Sequence, residues 1–426
     1  MTERRPVVRA GALALAALAS VLTASCTSSA DRSAPTLDAV RGVLAKLGTA
    51  VLKHDRAAFL AELDPDAKAS AFRARQAAMF ANLVRVPFTT WAYHLEGETD
   101  AKGAERAASK QFGTDALIVR VTLNYALRGV DRIPTHHELW WTFVRHDGDV
   151  VLAADDSLAH AGGASWQGPW DFGPLIVRRG PHSLILGHPR SAAALDGVEA
   201  TVEAAVPAVT AVWGPDWAQD VAVIVPASDA ELLAQSGESS DASLTVAAAA
   251  VSDGEDPVSG AVYGQRLIVN SAALGQLSPI GQQIVIRHEM THIAAASATS
   301  ATSPTWLVEG FADYVGNLHS GQTVKTTASE LAADVRHGRV PTALPTPDQF
   351  NTQGQSAQAY EGAWLACRLI AQHAGQPALV RFYKLVGASP EPPDAAVEAA
   401  FHAVLHESTA QFTAQWRQYL KAQLAP

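Results

Sequence analysis

The apolar positions along the chain change period twice. Val40, Val43, Leu44, Leu47 and Val51 recur at three and four, one helical stripe, and shorter helical patterns cover residues 56–63 and 71–83. From residue 89 the period becomes two. Segments 89–95, 116–127, 137–145 and 150–155 alternate or run apolar and are rich in Val, Ile, Trp, Tyr and Phe, with Asp147-Gly148 as a hairpin turn. Helices followed by antiparallel strands predict an α+β unit over residues 37–178. Pro, Gly and Trp crowd residues 168–180 and set a junction there. A second alternation follows, with strands at 182–187, 221–226 and 262–270, a helix at 190–213, and a Ser/Ala/Asp-rich loop at 237–254. Helices starting at Ser278-Pro279 and Ser303-Pro304 use serine as cap and proline in the first turn. Four more, at 357–373, 378–385, 394–406 and 408–424, complete a second unit over 179–426.

With 426 residues, 48% of them apolar, the chain can build two or three cores. Its formal net charge is -10 and no basic stripe is visible, so nucleic acid is excluded as a partner. Residues 1–25 read as an export signal: Arg4, Arg5 and Arg9, then an Ala/Leu core from Ala10 to Thr23 that is too short to span a bilayer. The signal ends in Leu22-Thr23-Ala24-Ser25-Cys26, small residues directly before a cysteine. Such an ending resembles a bacterial lipobox, which implies that Cys26 is lipidated and begins the mature chain. The protein is then expected outside the cytoplasm, held to the bacterial cell membrane through Cys26, with residues 26–36 as a tether. Cys367, the second of two cysteines, falls in an apolar helix and reads as a small buried hydrophobe, so no disulfide is expected.

The chemistry concentrates in His288-Glu289-Met290-Thr291-His292, inside the helix that begins at Ser278-Pro279. Side chains four apart share a helix face, so His288 and His292 can grip one metal ion with Glu289 beside it as a base. Glu309 lies seventeen positions beyond His292, on the next helix, and Asp313 shares its face one turn on. Two histidines and a glutamate are a recognised ligand set for catalytic zinc, leaving one position for water. A carboxylate such as Asp313 is what a ligating imidazole needs on its second nitrogen. His136, His137, Trp140, Trp141 and Phe143 could line a pocket in the first unit, but core aromatics on a sheet face explain them as well, and no site is assigned there.

The His288–His292 motif together with Trp306-Leu307-Val308-Glu309-Gly310-Phe311-Ala312-Asp313-Tyr314 resembles the gluzincin zinc peptidases, and among them the peptidase MA-like domains of bacterial lipoproteins. The resemblance covers roughly residues 180–426. It implies one Zn2+ per chain held by His288, His292 and Glu309, Glu289 as general base, Asp313 as the orienter of His288, and a peptide or protein substrate. Related enzymes place a tyrosine on a later helix as oxyanion donor, which implies Tyr360, although Tyr360 also continues an apolar stripe with Trp364 and Cys367. His337 and Tyr314 are the substitutes. The aminopeptidase branch carries Gly-x-Met-Glu-Asn on an upstream strand to capture a free amine. The nearest equivalent here, Gly260-Ala261-Val262-Tyr263-Gly264, has no glutamate, which points to cleavage within a chain. The strand at 262–270 is expected to pair with an extended substrate. The element order of the first unit resembles the cone-shaped fold named after nuclear transport factor two. A second reading keeps the zinc site but makes the protein a scaffold that works through its amino-terminal unit.

Overall fold

A computed structural model describes residues 33–237 and 244–425; the expected export signal and Cys26 lie outside these. The chain is a mixture of helices and sheets. In its amino-terminal part, helices α1 (Leu37–Leu52), α2 (Arg56–Ala61) and α3 (Ser70–Leu83) precede strand β1 (Phe88–Glu98). Helix α4 (Lys102–Phe112) and strands β2 (Leu117–Leu127), β3 (Thr135–His146) and β4 (Asp149–Ala154) follow. The four strands form one antiparallel sheet in chain order. Two register shifts interrupt the β1–β2 pairing, between Phe88 and Thr90 and between Leu95 and Gly97, irregularities of the kind that increase local twist. The β3–β4 hairpin turns at Asp147 and Gly148, both at positive φ (49° and 93°), the conformation an Asp-Gly pair adopts most readily. The apolar stripe of α1 is buried against one face of this sheet, and Ala108 and Phe112 of α4 cover part of the other. Helix α4 is absent from the sequence-based expectation because only those two anchors mark its buried side.

The second sheet has the order β5-β6-β7-β11-β8. Its strands are β5 (Ile176–Arg179), β6 (Ser183–Gly187), β7 (Val221–Val225), β8 (Ala248–Val251) and β11 (Arg266–Val269). Strands β6, β7 and β11 run parallel, with antiparallel β5 and β8 at the edges. A separate two-stranded hairpin pairs β9 (Gly254–Glu255) with β10 (Val262–Tyr263). Three expectations change here. The sheet begins at Ile176, inside the segment read as a junction. The stretch read as a loop contains edge strand β8. The expected strand at 262–270 is two strands, of which β11 is flanked on both sides and cannot take up a substrate.

Helices α5 (Ala192–Trp213), α6 (Asp229–Ser236), α7 (Ser271–Leu274), α8 (Pro279–Ala295) and α9 (Thr305–Asn317) pack on or beside this sheet. Helices α10 (Val324–Thr327), α11 (Ser329–Arg336), α12 (Pro347–Asn351), α13 (Ser356–Ala374), α14 (Gln376–Gly387), α15 (Pro393–Leu405) and α16 (Thr409–Leu424) complete the carboxy-terminal part. Cys367 is fully buried in α13 and unpaired. Among the described residues no helix is long and apolar enough to cross a membrane.

The two sheets meet along a polar seam. Arg266 of β11 donates to both carboxylate oxygens of Asp131 at 2.7 and 2.8 Å, and both side chains are about 95% buried. Thr135 bonds Asp253, and the Tyr263 hydroxyl lies 2.7 Å from His136 Nε2. His137 stacks on Trp166 with ring centroids 3.7 Å apart. Burial, then the nearby Arg266, push its imidazole down to about 3, so its contact with Asp253 at 3.4 Å is not an ion pair. Leu184, Leu186 and Ala222 of the second sheet are packed into the amino-terminal core.

Candidate metal centre

Helix α8 begins as its sequence requires: Ser278 Oγ accepts the Gly281 N–H at 3.1 Å and Pro279 occupies the first turn. Helix α9 starts differently from expectation. Pro304 is the capping residue, and Ser303 Oγ accepts the Ser300 N–H at 3.0 Å instead of capping the helix.

Two glycines let α9 lie close to its neighbours on both sides. A Cβ on Gly316 would sit 2.9 Å from the Ile284 carbonyl oxygen and 3.6 Å from His288 Cβ, so α8 passes directly against that position. A Cβ on Gly310 would sit 2.4 Å from the Ala363 carbonyl oxygen of α13. Held between α8 and α13, α9 presents Glu309 and Asp313 to His288.

His288 Nε2 and His292 Nε2 are 3.0 Å apart, and Glu309 Oε2 lies 3.4 and 3.7 Å from them. Four-coordinate zinc with bonds of about 2.0–2.1 Å spaces its ligand atoms about 3.3 Å apart. The three donor atoms therefore already stand near three corners of a zinc-sized tetrahedron, and the donor set fits the ion. Asp313 Oδ1 is 2.8 Å from His288 Nδ1, so that nitrogen carries the proton and Nε2 is left to face the other donors. Without an ion, burial opposes charge on His288, but Asp313, Glu309 and Glu289 outweigh it and hold the imidazole well above its ordinary value. Burial would raise the Glu309 carboxyl, yet the two histidines hold it well below the usual carboxylate range. Metal binding at such a site releases a proton.

Glu289 Oε2 accepts the backbone N–H of Ala250 at 2.8 Å. Because Asn270 donates to the Ala247 carbonyl, alternation turns Ala247, Ala249 and Val251 toward β11 and leaves Ala248 and Ala250 facing away. A cavity of about 490 Å³ is bounded by this outer edge, by His288, Glu289, His292 and Glu309, and by Leu232 and Tyr360. Tyr360 is half-buried, with Phe350 edge-on at 4.9 Å, so it serves the core and the cavity at once. Burial, then the carboxylates of Glu309, Asp313 and Glu289, raise its phenol above the ordinary range, which keeps the hydroxyl a donor. The two substitutes fall away: His337 is exposed and turned to the Ala333 carbonyl, and Tyr314 belongs to the core beside a different cavity. His402 is 2.9 Å from Glu398 on the surface of α15, away from this cavity.

Ala250 and the glycines of α9 escape a reading of the sequence. The run Ala247–Ala250 has no β-branched signal, and alanine by itself favours helix. Gly310 and Gly316 sit in a helix interior, where an unexplained glycine is the one available hint of close packing.

No protein-family model matches the chain, and no curated protein matches it in sequence. Solved structures that resemble it include a two-domain M1 zinc metallopeptidase mutant bound to L-tryptophan, at TM-score 0.36 and 16% identity, over 60% of this chain and 53% of that one. A mutant M1 zinc metallopeptidase from Deinococcus radiodurans gives TM-score 0.38 and 13% identity over 79% and 62%. An M1 zinc metallopeptidase from the same organism gives 0.38 and 14% over 80% and 72%. The chain thus spans less than two thirds of the length of the first two. Likenesses this remote leave the site to be judged on its own residues.

Proposed function

We propose that the chain is a zinc-dependent metallopeptidase that cuts within peptide chains, with His288, His292 and Glu309 as ligands and Glu289 as general base. The observation that carries this reading is the Glu289 carboxylate, tied to Ala250 between three converging donor atoms and an open strand edge. A bound zinc ion lowers the pKa of water to about 7 and polarises a carbonyl. Glu289 takes the proton of the attacking water and passes it to the leaving amine. Asp313 keeps His288 in the required tautomer and orientation. The free N–H of Ala248 and the carbonyls of Ala248 and Ala250 offer an extended peptide the bonds of an added strand. Tyr360 is the donor to the oxyanion. Among the described residues bounding the cavity, Glu289 and Glu309 are the only carboxylates, and both have other tasks. Nothing there is left to capture a free amine, which supports internal cleavage. Placement outside the cytoplasm, with a lipid on Cys26, rests on the sequence of residues 1–26.

The test is digestion of a peptide library by the zinc-loaded protein, alone, after chelation, and as Glu289→Gln. Chelation should abolish cleavage, and Glu289→Gln should lower kcat by about 10²–10⁴-fold with zinc still bound. A zinc-loaded wild type that cuts nothing would favour the scaffold reading instead.

A further inference from the structure

The amino-terminal part holds a cavity of its own, about 270 Å³, between one face of the first sheet, α3 and the segment that leads from β4 to β5. Five aromatic rings form an unbroken wall. Trp141 stands 4.8 Å from Tyr93, Tyr93 6.0 Å from Trp91, Trp91 5.2 Å from Trp170, and Trp170 5.8 Å from Trp166, centroid to centroid. Four of the rings are buried from outside, and Trp166 is half-buried. Around them stand three carboxylates, Asp155, Asp156 and Asp171, against one base, Arg75. Arg75 is committed to Asp155 at 2.7 Å. Asp156 is exposed and Asp171 stands at the rim, and neither has a cationic partner among the described residues. Asp171 Oδ2 accepts the Gly168 N–H at 2.8 Å, yet partial burial raises its carboxyl to about 7, so a cation beside it would hold it ionised. Gln76 lines the same cavity at 7% exposure, and its Oε1 has no hydrogen-bond partner.

This combination selects by charge and by shape. Aromatic faces attract cations, the more strongly as water is excluded. Surplus carboxylates repel anions, and a neutral apolar ligand would fill the wall while leaving Asp171 unanswered. A bare metal ion does not suit the cavity either: among the described residues the one cluster with metal-ligand spacing is that of His288, His292 and Glu309. We propose that this cavity binds a small organic ammonium group, its alkyl substituents against the tryptophans and its charge facing Asp171. The same chemistry is carried by a free alkylammonium ion and by a lysine side chain of a peptide.

Calorimetric titration of the full chain separates these cases. Choline serves as the free ion, N-acetyl-lysine amide as the side chain, and 3,3-dimethylbutan-1-ol as the uncharged isostere of choline. One or both cations should bind saturably and about tenfold or more tighter than the alcohol. Asp171→Asn, which keeps an acceptor for Gly168, should weaken that cation about fivefold or more, and Trp166→Ala, on the half-buried ring, should do likewise. Circular dichroism establishes that each variant is folded; should one fail to fold, the other decides. Binding of choline alone identifies a free ion, and equal binding of the lysine amide identifies a side chain. The proposal is overturned if neither cation saturates by about 50 mM, if the alcohol binds within twofold of choline, or if the folded variants bind as the wild type does.

Discussion

Asp131→Ala tests how the amino-terminal part is joined to the sheet that carries the candidate site. Arg266 projects from β11, next to edge strand β8, and its guanidinium has Asp131 as its only carboxylate partner among the described ion pairs. The remaining contacts are the Gln265 carbonyl at 2.8 Å and the face of Tyr125, 5.7 Å away. At an effective dielectric of about 20, two unit charges about 4 Å apart attract by about 4 kcal/mol. Removing one partner of a buried pair costs about 3–5 kcal/mol, because the other charge stays behind without water. Asp131 Oδ2 also accepts the Leu127 N–H at 2.8 Å, so the substitution orphans a second donor.

We therefore expect Asp131→Ala to lose about 3–5 kcal/mol in equilibrium urea unfolding followed by tryptophan fluorescence and far-ultraviolet circular dichroism. The double variant Asp131→Leu with Arg266→Met removes both charges and should regain most of that loss, to within about 1–2 kcal/mol of the wild type. A single variant that loses less than about 1 kcal/mol, or a double variant no better than the single, would refute the assignment of this energy to the stranded guanidinium.

Asp313→Asn should weaken zinc binding about 10–100-fold in competition with a chromogenic chelator while leaving the fold intact, since it disturbs the orientation of His288 and not the ligand set. Gly316→Ala should destabilise the protein by about 1–3 kcal/mol and weaken zinc in parallel, because α9 must retreat from α8 to admit the methyl group; unchanged zinc affinity would count against the close approach of the two helices. A third expectation concerns His188, whose two nitrogens face acceptors, the Pro174 carbonyl at 3.0 Å and Glu231 at 2.8 Å. Burial opposes its charge, but Glu231 outweighs burial and raises the imidazole. Its contribution is complete below the unfolded value of about 6.5 and is lost as pH rises through the higher folded value. The unfolding midpoint should thus fall above about pH 6.5, and Glu231→Gln should remove that component of the slope.

The parts of the fold that were legible carry strong periodicity. The stripe of α1, the alternation of β2 and β3, and the Asp147-Gly148 turn all follow from local rules, and so does the start of α8 at Ser278-Pro279. Strands β5 and β8 were not legible, because four residues of Ile-Val-Arg-Arg or Ala-Ala-Ala-Val acquire strand conformation from their neighbours and not from themselves. At the site, His288 with His292 and Glu309 with Asp313 were legible as pairs because helix spacing converts directly into proximity, whereas the meeting of the two pairs was implied only by the resemblance of their motifs. The partner of Glu289 was not, since it is a backbone N–H that any residue could supply. Tyr360 stayed ambiguous for a physical reason: a ring that packs beneath a cavity satisfies the pattern of a core residue and of a site residue together.

Strand β8 bears on what the protein would discriminate. Its side chains at 248, 249 and 250 are single methyl groups, so a chain laid along the open edge meets peptide dipoles and almost no side-chain relief. Such an edge sets direction and counts residues in steps of two, but it is nearly blind to their identity. Preference for one cleavage position over another would have to be written by the walls, Leu232, Val246, Val308 and Tyr360. Exchanging Ala249, which lines the cavity on the strand face opposite the buried Ala248, for a larger residue should then narrow the range of accepted sequences without moving the cut along the backbone.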